Sequence, residues 1–441
     1  MIIQWSSEFD GVQMLWQMLS GLLLLICLLP ACLGLTVGGQ GLRTVLAASG
    51  DWLGLIVVHS TFWIALLFSL AMGPSAGTTP QQSHTTAPIA MEDMIREANQ
   101  VVDQRHLFGR GGILGDLEFA GLRNLEVQGN AERPLFASRR PYHSISLATF
   151  LTYHLAVYLC ALLTVMAVAS RGNAKPSRLL IFSILWGVFV YAPAVHWVWG
   201  EGWLGIRGTI DDGGSLFLFV VGVSIIGVFQ WCGKTRKEDD PSANSPYENL
   251  ILHGSSIAFT LGYLVLMCSI RVPDSHIRAV VVLNGIISAC SGFLLYSLLK
   301  LLIPNKSCGH SPAIGFCCGI VSVAAGCTMF DPRTAVTCSV FGTAAGFAAW
   351  ALTQRLHHPP ELEFPVATVA ASAAGLLFVG VCGSSANGVF QWNQETISSL
   401  MHGDASLLGQ QAKSVVAIFV LVFGISRLLA KVCLASDRQA H

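Results

Sequence analysis

The sequence predicts an all-α integral membrane protein of eleven transmembrane helices, arranged as two inverted five-helix repeats followed by a terminal helix. Three observations carry that reading. Of 441 residues 53% are hydrophobic and only 11% charged, against about 25% charged in a soluble domain. The mean hydropathy is +0.60. The apolar residues gather into runs of about 20, the length that a helix needs to cross the hydrocarbon layer while its own hydrogen bonds satisfy its backbone.

Taken in order, the runs lie near residues 13–36, 52–72, 146–169, 179–199, 214–232, 250–270, 279–302, 312–330, 334–353, 364–383 and 412–432. The eighth and ninth are the least distinct. Both are rich in Gly and Ala, and only the turn Asp331-Pro332-Arg333-Thr334 parts them. Polar residues lie mainly between the runs. Residues 13–432 thus form one membrane domain, interrupted by a polar, mixed-charge segment at 73–145 and followed by a short tail at 433–441.

An odd number of spans places the two termini on opposite faces, and the excess of Lys and Arg marks the cytoplasmic one. With the N-terminus outside, the inner connections hold Arg43, Arg171, Lys175, Arg178, Lys234, Arg236, Lys237, Lys300, Lys306 and Arg355, and the last helix and tail Arg427, Lys431 and Arg438. The short outer connections hold only Arg207, Arg271, Arg278, Arg333 and Lys413. The long 73–145 segment falls outside, and its arginines do not enter the vote. The charged stretch Lys234–Asp240 then divides five spans from five more, the outline of an inverted-repeat transporter.

Composition also excludes several functions. Basic and acidic residues balance at 25 each, so no general basic field exists to hold nucleic acid. The N-terminus has no basic n-region, so a cleaved secretory signal is not expected. Most of the thirteen cysteines sit inside apolar runs, where a thiol acts as a small hydrophobe rather than part of a disulfide framework. Cys308, His310, Cys317 and Cys318 lack the spacing of a tetrahedral zinc clip. No nucleophile and base pair, phosphate-cradling loop or carboxylate couple stands out, so neither an enzyme nor a cofactor is expected.

The stretch Ala192–Gly205, APAVHWVWGEGWLG, continues into GTIDDGG at 208–214. It resembles the most recognisable segment of the ammonium transporter (Amt/Rh) family. Other pieces fall in the same order as in that family: Pro30 then VGG at 37–39, AMGPS at 71–75, GDLEFAGLRN at 115–124, AAGC at 324–327, FPV at 364–366 and LLGQQ at 407–411. The resemblance runs from about residue 15 to 432. It implies an eleven-helix fold in the plasma membrane with the N-terminus out, assembled as a homotrimer with one narrow hydrophobic pore per subunit.

The same resemblance assigns candidate site residues. Trp199 aligns with the aromatic residue that holds ammonium in the outer vestibule, where a cation over an indole gains about 0.5 to 2 kcal/mol. The competing reading is an interfacial belt tryptophan beside Trp197 and Trp203. Tyr263 aligns with a second vestibule aromatic. Asp211, with Asp212, opens the fifth helix; it can cap free backbone N–H groups or stabilise a cation waiting outside. The family's pore holds two histidines, and both are replaced. The first falls on Leu218, or on Phe219 with a one-residue gap; the second falls on Ala367, or on Thr368 when the downstream glycines are aligned. Leu and Ala offer no hydrogen bond and no proton path. The outer phenylalanine gate is altered as well, with Ala156 and Leu266 at the two ring positions.

Four histidines complete the inventory. His59 and His154 lie inside spans two and three, where an ionisable residue is costly. His154 lies within a turn of Ala156 and can restore a polar group to the conduit, or hydrogen-bond to a neighbouring helix. His196 reads as structural and His253 as solvated or helix-capping. After the last span RLLAKVCLASDRQAH lacks the family's acidic, glycine-containing regulatory motif, so a cytosolic regulatory partner is not expected to act through the tail. The expected function is passage of ammonium or ammonia across the bilayer; the alternative is a non-conducting ammonium sensor or a pseudo-transporter subunit.

Overall fold

A computed structural model describes residues 11–47, 49–73, 75–76, 112–117, 119–123, 147–171, 174–200, 202–231, 246–269, 275–302, 312–356, 362–383 and 399–434. Most of the 73–145 and 433–441 segments, the Lys234–Asp240 connection and the pair Cys308 and His310 lie outside them. Among the described residues the chain is all-helical, without a strand beyond the single bridge between Ser75 and Gly115.

Among the described residues, eleven helices follow the eleven apolar runs. Helix α1 comprises Gly11–Leu23, a π-helical turn Leu24–Leu28 and Leu29–Ala47. Helix α2 comprises Ser49–Phe62, a π turn Trp63–Leu67 and Phe68–Met72. Leu147–Ala169 is α3. Helix α4 comprises Pro176–Trp186, a π turn Gly187–Tyr191 and Ala192–Val198. Then come α5 Ser215–Phe229, α6 Pro246–Cys268, α7 Ser275–Leu302, α8 Ala313–Ala324, α9 Pro332–Arg355, α10 Glu363–Cys382 and α11 Ser406–Leu434.

Two of the π turns have a local cause. A proline lacks an N–H, and its ring collides with the carbonyl four residues earlier. Pro30 and Pro193 each stand two residues after a π turn, and widening that turn moves the offending carbonyl aside. Nothing in the structure explains the third, at Trp63–Leu67. Helix α1 breaks again at Gly38, whose φ of 65° and ψ of −178° belong to a region that only glycine occupies readily. Asp331 caps α9, accepting from the N–H of Arg333 at 2.8 Å and of Thr334 at 2.9 Å, with Pro332 following.

Among the described residues, nine of the eleven helices are long and apolar enough to cross a membrane. The exceptions are α5 with 15 residues and α8 with 12, spanning about 22 and 18 Å at 1.5 Å per residue. The run expected to extend to residue 330 leaves the helix at Ala324 and continues as turns to Phe330. The two short ends complete each other. Asp212 and Gly213, before α5, donate their N–H groups to Ala325 and Ala324 O at 3.0 and 2.9 Å, and Ser215 Oγ donates to Val321 O at 2.6 Å. Irregular backbone is tolerated at this depth because protein, not lipid, surrounds it.

The five-helix halves join through two crossings, α1 on α6 and α5 on α10, with α11 strapped across α4, α5 and α10. Each crossing has a glycine where the two helices touch. A Cβ on Gly262 would lie 2.8 Å from Leu28 N and Cβ, and one on Gly222 would lie 2.5 Å from Val369 Cγ2 and 3.0 Å from Pro365 O. Small residues of this kind let helix backbones approach where no hydrophobic effect drives association. The outward faces of α1, α7 and α11 carry exposed Met18, Leu22, Leu294, Leu301, Val420 and Val432, as a lipid solvent requires.

Candidate vestibule and conduit

The motifs scattered along the sequence converge at one end of the bundle, where α1, α3 and α5 begin and α2, α4, α6 and α8 finish. His196, fully buried, anchors this layer. Its Nδ1 lies 3.3 Å from Ala71 O, which can only accept, so Nδ1 carries the proton and Nε2 accepts from Ser75 Oγ at 3.1 Å. Ser75 Oγ in turn receives the N–H of Gly112 at 2.9 Å, and Trp197 Nε1 donates to Ile113 O at 3.0 Å. The AMGPS end of α2 and residues 112–113 thereby dock on α4, while the GDLEFAGLRN piece that follows bonds to α2, the Gly115 N–H donating to Leu70 O at 2.8 Å and the Phe119 N–H to Ser69 Oγ at 3.0 Å. The LLGQQ piece closes the far side: Gln411 exchanges two bonds with the Ile210 backbone, at 2.7 and 3.2 Å, and Gln410 Nε2 reaches Leu204 O and Thr209 Oγ1.

Within that frame Trp199, Asp211 and Tyr263 come together around the start of α5. Asp211 is 6% exposed. One carboxylate oxygen accepts the N–H of Ser215 at 2.8 Å and the other that of Leu216 at 3.0 Å. Its carbonyl accepts Trp199 Nε1 at 3.1 Å, and Tyr263 Oη donates to Gly214 O at 2.6 Å. Burial pushes the Asp211 carboxyl up to about 7, against the opposing pull of these amides. Asp212, which accepts from the Thr328 hydroxyl, is pushed up to about 6 by burial. The Trp199 N–H is spent on the Asp211 carbonyl, and the residue is half-buried.

Below this ring of contacts the positions that the family resemblance assigns to a conduit are buried. Helix α5 buries almost every side chain, Leu218 and Phe219 among them. Ala367 and Thr368 are buried on α10, and Thr368 Oγ1 donates to Phe364 O of its own helix at 2.7 Å. The Thr368 hydroxyl proton is thus not presented to a passing solute. An aromatic column that sequence reasoning missed links the two regions: Tyr263 stacks on Phe259 at 5.2 Å, and Phe259 meets Phe364 edge-on at 5.7 Å. The spacing of Phe259 and Tyr263, four residues apart on one helix face, was the available signal.

At the gate positions, Leu266 packs on Gly214, and Ala156 lies 3.7 Å from where a Gly21 Cβ would stand. The side chains that bridge α3 and α6 here are Tyr153 and Ser269, joined hydroxyl to hydroxyl; neither stood out in the sequence. His154 occupies a different side of α3. Its ring packs on Phe150 at 4.2 Å and edge-on to Tyr153 at 5.1 Å, with no hydrogen-bond partner among the described residues. Phe150 in turn meets Phe68 of α2. His59 is fully buried with both nitrogens engaged. Ser183 Oγ donates to Leu180 O at 2.8 Å, so it accepts from His59 Nε2, and Tyr158 donates to Nδ1 at 2.7 Å. This chain ties α2, α3 and α4. His253 is exposed, with Nδ1 against Asn249 O of its own helix. Cys317 and Cys318 are buried in α8, and no metal-binding cluster exists among the described residues.

The family model for the Ammonium Transporter Family matches residues 122–435. An ammonium transporter of Bacillus subtilis is 27% identical over 332 residues, covering 73% of this chain and 75% of the relative. One of Corynebacterium glutamicum is 24% identical over 344 residues, covering 74% and 69%. Among solved structures, Candida albicans Mep2 superposes with a TM-score of 0.69 at 17% identity, over 96% of this chain and 84% of that one. A protein described as a sensor Amt protein gives a TM-score of 0.69 at 16% identity, over 97% and 94%.

Proposed function

This chain belongs to the ammonium transporter family, and from that membership we propose that it passes ammonium, in the form of ammonia, through a narrow apolar route in each subunit of a homotrimer. It is a multi-pass membrane protein. We place it in the plasma membrane with the N-terminus outside and the C-terminus in the cytoplasm, on the charge asymmetry of its connections. The observation that carries the reading is the assembly of Trp199, Asp211 and Tyr263 around the first turn of α5. An indole ring, a buried carboxylate and a positive helix end there form a polar mouth above an apolar interior.

The apolar interior selects the species. A bare ammonium ion at Leu218 and Ala367 would meet no charge partner and no acceptor side chain, at a cost of several kcal/mol. Neutral ammonia crosses the same surface far more cheaply, and the proton stays behind. Transport is therefore electroneutral. Purified protein in liposomes is expected to raise internal pH on an ammonia gradient without an accompanying current. Flux equal to that of empty vesicles sinks the reading.

One observation favours a second reading, a non-conducting sensor or pseudo-transporter subunit. By alignment the family's histidine pair falls on Leu218 or Phe219 and on Ala367 or Thr368, and all four side chains are buried. Ammonium-dependent stabilisation without flux would favour that alternative.

A further inference from the structure

One layer outside the gate positions, helix α1 turns two polar side chains inward. Gln17 and Ser20 are 3% and 1% exposed, and Gln17 Oε1 and Ser20 Oγ have no hydrogen-bond partner among the described residues. Such groups are rare in native interiors, because each one left unmade costs the full desolvation of a polar atom. Ser20 shares this state with Thr36 and Thr343 and differs from most membrane hydroxyls of this chain. Thr152, Thr164, Ser256 and Ser372 all return their proton to the carbonyl four residues earlier.

The surroundings show what is missing. Gly21, one turn along from Gln17, faces α3, its Cβ position 3.6 Å from Tyr153 Cα and 3.7 Å from Ala156 Cβ. Trp16 holds the same stretch of α1 to α6, its Nε1 donating to Cys268 O at 2.7 Å. The donors that tie α1, α3 and α6 together along this stretch are spent. The Trp16 N–H goes to Cys268; the Ser269 hydroxyl donates to Leu266 O at 2.6 Å; and Tyr153, bonded to Ser269 Oγ, must then be the donor of that bond. What remains is the Gln17 amide oxygen, an acceptor without a proton, and the Ser20 hydroxyl, which keeps its lone pairs and one proton. A guest that satisfies the amide oxygen has to bring its own N–H or O–H.

We infer that Gln17 and Ser20 form a binding subsite on α1 for a small solute rich in N–H donors, ammonia or ammonium, directly outside Ala156 and Leu266. The inference rests on the transport reading for the identity of its guest and adds a specificity-determining role for helix α1. An amide oxygen and a hydroxyl select by proton count as well as by charge. Tetramethylammonium, which carries the charge but no N–H, is refused; ammonia and ammonium, with three and four donors, are accepted.

The test uses the full-length protein in nanodiscs and reads its thermal midpoint against ammonium chloride, sodium chloride and tetramethylammonium chloride at equal ionic strength. The wild type is expected to gain stability with ammonium alone. Gln17→Met keeps the volume and loses the acceptor, and it is expected to raise the half-saturating concentration about tenfold or more, the usual worth of a charge-assisted bond. Gln17→Glu, which keeps an acceptor, is expected to retain the response. Should Gln17→Met fold poorly, Ser20→Ala offers a smaller change with the same predicted direction. Titrations at pH 6 and pH 9 tell the guests apart, since half-saturation stays constant in the concentration of whichever form binds. A wild-type midpoint that does not distinguish ammonium from sodium overturns the inference and leaves water as the sole occupant. An unchanged response in both Gln17→Met and Ser20→Ala overturns it equally. Liposome flux is read separately: flux without this binding refutes the subsite and spares the transport reading, whereas binding without flux upholds the subsite and refutes conduction.

Discussion

Asp211 lets two readings of one carboxylate be separated. If it acts as the cap of α5, Asp211→Ala leaves the N–H groups of Ser215 and Leu216 buried without acceptors. Each bond joins a backbone donor to a carboxylate at 2.8 or 3.0 Å, worth about 1.5 to 3 kcal/mol where the acceptor is fully charged. Because burial holds the carboxyl near 7, the neutral form takes part at physiological pH, and about 3 kcal/mol for the pair is the better figure. Unfolding entropy of about 2.1 cal/mol/K per residue over 441 residues converts that loss to a fall of about 3 °C in thermal midpoint. Asp211→Asn keeps one acceptor and is expected to lose about half as much. If the carboxylate instead draws a cation to the mouth, Asn and Ala remove the charge equally. The apparent affinity for ammonium would then fall by the same factor in both, whatever their stability. The assay is a thermal scan in detergent paired with a concentration series of liposome flux. A midpoint for Asp211→Ala within 1 °C of wild type refutes the capping argument.

Three further outcomes follow from the packing. Gly222→Ala places a methyl 2.5 Å from Val369 Cγ2 and 3.0 Å from Pro365 O, and it should cost about 1 to 3 kcal/mol of stability; a thermal midpoint equal to wild type would show that α5 and α10 separate freely. His59→Phe strips Tyr158 and Ser183 of their shared partner and should destabilise by about 2 to 4 kcal/mol, while flux per folded molecule is preserved; flux lost with the midpoint unchanged would place His59 on the conduction route. His154→Ala should leave flux intact, since that ring packs among Phe150 and Tyr153. A reduction at equal protein incorporation would put His154 in the path after all.

Much of this architecture is readable without coordinates, because lipid as a solvent permits few alternatives. Each of the eleven apolar runs contains a helix, and most of the boundaries agree within a few residues. The eighth departs because its last residues trade a helical ladder for bonds to Asp212 and Gly213, an exchange between segments over a hundred positions apart. Trp199, Asp211 and Tyr263 could be named from motif order, but their shared attachment to the first turn of α5 could not. Partner choice is the hidden variable throughout. His59 looks like His154 in the sequence, yet one is bonded at both nitrogens and the other is wedged between aromatic rings. Gln17 and Ser20 drew no attention, for a polar residue in a span becomes informative only when its neighbours' protons have been counted.

The widened turn at Leu24–Leu28 also sets a clock for helix α1. A π turn takes in one residue more than an α turn, so the side chains after it are rotated by about 100° relative to those before it. Gln17, Ser20 and Gly21 therefore keep one angular phase and Cys32, Leu35 and Thr36 another, and no single helical wheel places both groups toward the interior. A related chain that lacked the extra residue would present a different stripe to the bundle on one side of that turn. Aligning such chains through α1 demands a one-residue gap at a place where the amino acids themselves, LLICL, offer no visible seam.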